Sequence, residues 1–185
     1  MGGIALAKVH ISLVTGSPEE ARTRDWLLGL FGRYDLSRWQ FTDHVQIEEG
    51  AIAHSHPVLT LNTRSPDAMS LLSVYLHEQI HWFTLAPAHH EACRCAAQMW
   101  RQMYPHVPVE YPEGCGSERS NYLHFTVCYL EHKGMLELVG VEEARRVLEH
   151  QIQRPFYRYV YRTISTDFDA MTVVTDSCGL ILSAA

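Results

Sequence analysis

The chain has 185 residues, 46% of them hydrophobic and 19% charged, enough apolar material for a packed core and too much for a disordered segment. Lys+Arg is 15 and Asp+Glu is 21, a formal net charge of −6 that argues against broad nucleic-acid or anionic-membrane binding. Twelve histidines stand out, because imidazole is the commonest metal ligand and the usual proton carrier near neutral pH.

The N-terminal apolar stretch is short and broken by Lys8 and His10, which makes a poor signal peptide. Leu6 stands where a myristoylation motif wants Ser or Thr. With no stretch approaching the ~20 apolar residues of a membrane span, a cytoplasmic protein is expected. The five cysteines, Cys93, Cys95, Cys115, Cys128 and Cys178, are odd in number and lack Cys-x-x-Cys spacing. They are expected to be reduced and mostly buried.

Val9–Thr15 is β-like and ends at Gly16. Ser17-Pro18-Glu19-Glu20 combines a Ser N-cap, Pro in the first turn and acids at the positive dipole end, so a helix is expected to run to about Phe31. From Phe41 to Arg64, Val45 and Ile47 alternate with polar residues, Glu49-Gly50 signals a turn, and Leu59 and Leu61 alternate with Val58, Thr60 and Asn62. This predicts a small antiparallel sheet with Pro57 at a strand start or edge. Ser65-Pro66-Asp67 opens a second helix, with Met69, Leu72, Leu76, Ile80 and Phe83 at helical spacing and Pro87 at its end. Further helices are expected over 89–104, 117–139 and 141–150, with a loop at Glu110–Gly116. The tail from Pro155 to Cys178, rich in Tyr and β-branched residues, is left unassigned. The expected fold is a helix-rich α+β domain with one small sheet, spanning residues 1–185.

The chemistry concentrates at His77-Glu78-Gln79-Ile80-His81, a His-Glu-x-x-His run inside the second helix. Residues i and i+4 share a helix face, so two imidazoles there can hold one zinc ion. Glu78 lies beside the first ligand and can take a proton from an attacking water without itself ligating. Catalytic zinc needs three protein ligands and an open position. The third is sought on the 117–139 helix, where His124, Cys128 and Glu131 at i, i+4 and i+7 form one stripe. His124 is the favoured ligand. Glu131 is the alternative, or a partner that orients a ligating histidine, and Cys128 is assigned to packing.

These residues resemble the zincin superfamily of metallopeptidases, over the motif, its helix and the strand-like Val58–Arg64 before it. The resemblance implies that the strand preceding the motif pairs with an extended substrate, placing Leu59, Leu61 and Thr63 along it. Pro87 stands where the extended metzincin motif needs histidine, and Trp100 where one aminopeptidase branch has its glutamate. The Asn-Glu-x-x-x-Asp surroundings of thermolysin-like enzymes are also missing. A hydrolase of this kind needs an oxyanion donor, and the tail offers Tyr157 and Arg158. The resulting expectation is a zinc-dependent hydrolase, a small metallopeptidase with Glu78 as general base and one zinc per chain. Iron, cobalt, nickel and copper also suit this donor set. Its partner would be a peptide or small molecule, without nucleic acid or membrane. Two alternatives stay open: a non-peptidase metalloenzyme (isomerase, cyclase or oxidative) acting on a small molecule, and a non-catalytic module with a structural metal.

Overall fold

Ser17 caps the first helix, α1 (Pro18–Arg33), its side chain accepting the Glu20 N–H. This computed structural model describes residues 9–180 and 182, so the N-terminal targeting readings at residues 1–8 lie outside the described residues. The chain divides into two units, residues 1–83 with 182–185, and residues 84–181.

In the first unit, β1 (His10–Leu13), β2 (His44–Ile47) and β3 (Leu59–Leu61) form a sheet in the order β1-β2-β3. Both pairings are parallel, with His10 opposite His44 and Val45 opposite Leu59. The expected antiparallel sheet is therefore corrected. A turn does form at Glu49-Gly50, but residues 48–58 carry the chain back before β3 begins, so the two strands run in the same direction. One antiparallel element survives as an isolated bridge between His54 and Thr60. Val45, Ile47, Leu59 and Leu61 are buried, each contributing about 1.5–3 kcal/mol of hydrophobic stabilisation.

The motif helix, α2 (Ala68–Leu85), is capped by Asp67 rather than Ser65, since the Asp67 carboxylate accepts the Ser70 N–H at 2.7 Å. Tyr75 meets Phe31 of α1 edge-on, ring centroids 5.5 Å apart. Gln79, the first variable residue of the motif, is fully buried and points away from the chemistry. Its Oε1 accepts from the Phe41 and Thr42 N–H groups, and its Nε2 donates to the Thr42 carbonyl and Tyr75 hydroxyl. It thereby ties the chain ahead of β2 to α2.

The second unit is helical: α3 (His90–Met103), α4 (Glu118–Val139), α5 (Val141–Gln153) and α6 (Arg158–Ser177). α4 packs on the other three. Trp100 donates to Thr126 Oγ1 at 3.0 Å, and Tyr104 stacks on Phe125. α6 fills the tail that the sequence left unassigned. Its leading amides at Tyr157, Arg158 and Tyr159 donate to the Gly114, Pro112 and Glu113 carbonyls of the preceding loop. Non-helical backbone at Asp167 kinks it, and the Asp167 carboxylate accepts the Tyr104 hydroxyl at 3.0 Å. Cys95 on α3 and Cys178 at the end of α6 form a disulfide, so the expectation of all-reduced thiols is corrected. Cys93, Cys115 and Cys128 remain thiols.

Candidate metal centre

In the first unit, the 3.6-residue period of α2 sets His77, Glu78 and His81 together. The two imidazole centroids lie 5.0 Å apart, and a ligand atom from each falls within 4.8 Å of the other. Both histidines are half-buried, and Glu78 is 6% exposed. Burial, with smaller contributions from His77 and His56, pushes His81 down to about 3, so it stays neutral across the physiological range. A neutral imidazole is the form that binds a metal.

His56 is exposed on a loop and is held against Trp82, the residue after His81. Its ring stacks on Trp82 at 4.2 Å, its Nδ1 pairs with Ser55 Oγ, and Trp82 donates to the Ser55 carbonyl at 2.8 Å. His54 is held by the Ile52 carbonyl.

In the second unit, the α4 stripe is buried: His124 is 6% exposed, Cys128 0% and Glu131 2%. His124 Nδ1 donates to the Ser120 carbonyl one turn back at 2.8 Å, which leaves Nε2 as the lone-pair nitrogen. Tyr157 lies flat on the His124 ring, centroids 3.7 Å apart and planes 13° apart. The Tyr157 hydroxyl pairs with Ser120 Oγ at 3.1 Å. Burial, then the nearby Cys115, raises the Tyr157 phenol well above its ordinary value, so it keeps its proton. Two turns along, Glu131 accepts from the Tyr161 hydroxyl at 2.9 Å and from Gln151 Nε2 at 3.3 Å. Cys128 and Glu131 offer ligand atoms within 4.8 Å of one another.

The other expected residues fall less favourably. The Arg158 guanidinium donates to the Arg154 and Gln153 carbonyls at the end of α5, a helix-capping arrangement rather than an aimed oxyanion donor. Leu59 and Leu61 are fully buried, so a substrate would not meet their side chains. The Thr60 N–H and carbonyl are both engaged with His54, so the chain itself occupies the outer edge of β3 at that point. Thr63 is half-buried, and its carbonyl accepts from Arg22 at 3.5 Å.

The residues that sequence reasoning missed are Ser120 and Gln79. Ser120 lies at i−4 to His124, a spacing that could have marked it. The bonding of Gln79 depends on residues 41–42, remote in sequence. No family model matches this chain, and no curated protein or solved structure matches it.

Proposed function

We propose that the chain is a metal-dependent hydrolase of zincin type, with His77, His81 and His124 holding one zinc ion. The observation that carries the reading is the paired, half-buried His77 and His81 on one face of α2, with His81 neutral and Glu78 beside them. The donor set fits the ion. It offers two imidazoles one helical turn apart, and a third whose other nitrogen is hydrogen-bonded to a backbone carbonyl, as metal-ligating histidines usually are.

His124 is preferred to Glu131 on geometric and chemical grounds. Residues at i and i+7 are about 10.5 Å apart along a helix axis, so one ion takes one of them and not both. Glu131 is already bonded to Tyr161 and Gln151, and withdrawing its carboxylate would leave those buried groups unsatisfied. Its role in this reading is structural.

Zinc bound there would supply a Lewis acid that lowers the pKa of a coordinated water toward 7. Glu78 would accept that water's proton as it attacks a carbonyl and return it to the leaving group. A peptide is the first substrate class to screen, approaching by a route other than the edge of β3. The Cys95–Cys178 disulfide weighs against the cytoplasmic placement expected from the sequence, because such bonds are rare in that compartment. Among the described residues no helix is long and apolar enough to cross a membrane.

The test is metal content by mass spectrometry on protein purified without a metal-affinity tag. Wild type, Glu78→Gln and Glu131→Gln should each carry about one zinc per chain, and His77→Ala, His81→Ala and His124→Ala should lose it. Peptide hydrolysis should vanish in Glu78→Gln. A wild type that takes up no added zinc overturns the reading.

A further inference from the structure

Tyr157 is the one non-glycine residue with positive φ among the described residues, at φ 57° and ψ 28°. A bulky aromatic side chain there is a backbone outlier, which the surroundings must hold in place. The main chain supplies that hold. The Tyr157 N–H donates to the Gly114 carbonyl at 3.5 Å, and the Tyr157 carbonyl accepts the Tyr161 N–H that starts α6. The strained backbone delivers the ring to one place, face to face with His124 at 3.7 Å, with its hydroxyl on Ser120 Oγ. Ser120 in turn offers its carbonyl to His124 Nδ1.

We propose that Tyr157 and Ser120 form a clamp that fixes His124 in one ring plane and in the Nδ1–H tautomer, so that Nε2 is presented for a metal. The inference rests on the reading of His124 as a ligand. Tyr157 is thereby a positioning residue rather than an oxyanion donor. The carbonyl of Ser120 selects the tautomer, because only a protonated Nδ1 can donate to it. The stacked phenol ring prevents the imidazole from turning about its Cβ–Cγ bond, which would break that hydrogen bond. A ligand that is already oriented loses less freedom on binding, so removing the clamp should cost affinity even though no coordinating atom is touched.

The experiment measures zinc affinity by competition with a chromophoric chelator, together with the His124 tautomer by nitrogen-15 NMR of metal-free protein. Tyr157→Gly removes the ring and relieves the positive φ, and Tyr157→Asn is a second variant whose side chain tolerates that backbone. Either folded variant should bind zinc about 10- to 100-fold more weakly than wild type, with a thermal midpoint that does not track the loss. Tyr157→Phe keeps the stack and should stay within about threefold. In metal-free wild type His124 should carry its proton on Nδ1, and in Tyr157→Gly or Tyr157→Asn the two tautomers should mix. The proposal is overturned if Tyr157→Gly and Tyr157→Asn bind zinc as wild type does while His124→Ala loses it, or if wild-type His124 carries its proton on Nε2. If instead His124→Ala binds zinc as tightly as wild type, the ligand reading itself has failed and the clamp falls with it.

Discussion

Replacing both Cys95 and Cys178 with Ser should destabilise the 84–181 unit substantially. The bond closes a sequence separation of 83 residues, with the two Cα atoms 5.6 Å apart. In the chain-entropy model a loop of that length removes about 15 cal/mol/K from the unfolded state, or about 4.5 kcal/mol at 25 °C. With an unfolding entropy of about 2 cal/mol/K per residue, that is a fall in melting temperature of about 10–20 °C, the larger figure if the unit melts alone. Thermal and urea unfolding of wild type, the double variant and a Cys93→Ser control would measure it. The control should sit near wild type, since Cys93 is a half-buried thiol whose pKa burial pushes up to about 11. Thiol titration of denatured, unreduced wild type should count three thiols of the five cysteines. Five titratable thiols, or a double variant within about 1 kcal/mol of wild type, would refute the reasoning.

Gln79→Leu should lower stability by at least about 3 kcal/mol, because the Phe41 and Thr42 amides and the Thr42 carbonyl lose their side-chain partner; a urea midpoint close to wild type would contradict this. Gly114→Ala should cost about 2–4 kcal/mol, since an added Cβ would lie 2.4 Å from the Pro108 carbonyl oxygen and 2.5 Å from that of Val109, both backbone atoms. The loss should appear in the hydrogen-exchange protection of the first turn of α6, whose amides bond to the same loop. Glu20 is buried, which alone would raise its pKa, but the Glu49, Thr15 and Gly16 amides outweigh burial and hold its carboxyl below the ordinary value. A depressed folded-state pKa gives stability that is fully present above the unfolded value and lost as pH falls through the folded one. Glu20→Gln should therefore be less stable than wild type at pH 7, and the gap should narrow in urea titrations carried down to pH 3. A gap that is constant with pH would sink the assignment.

Helices with local start signals were legible in the sequence. α1 begins where Ser17-Pro18 says it should, and α4 begins after Ser117, whose side chain accepts the Ser120 N–H. α6 was not legible, because nothing local starts it. Tyr157 precedes it in a left-handed conformation, and the caps are carbonyls of residues 112–114, more than forty positions away. The sheet direction failed for a related reason. Alternation at Val45, Ile47, Leu59 and Leu61 marks which residues are buried and is the same for parallel and antiparallel strands. The direction depends on how far residues 48–58 travel, and the turn signal at Glu49-Gly50 does not report that. The disulfide depends on the fold bringing Cys95 and Cys178 together across 83 positions.

The candidate site divides along the same line. His77, Glu78 and His81 were legible because a helix turns a fixed spacing into a shared face, and burial of that face then keeps His81 neutral. The stripe His124, Cys128, Glu131 follows from the same period. What the period does not carry is which member of a stripe is prepared to ligate. That choice rests on the other nitrogen of one ring and both oxygens of one carboxylate. On His124 the Nδ1 is bound by a carbonyl of its own helix, so the proposed use of Nε2 for a metal would leave that hydrogen bond intact. On Glu131 the oxygens are bound by α5 and α6 side chains, so using one for a metal would break a buried bond elsewhere. Tyr157 was expected as an oxyanion donor, but its ring is stacked on His124, and Tyr161, one turn further along, is bonded to Glu131. An i, i+4 aromatic pair thus serves the two ends of the stripe in different ways, one holding a ring in plane and the other holding a carboxylate in place.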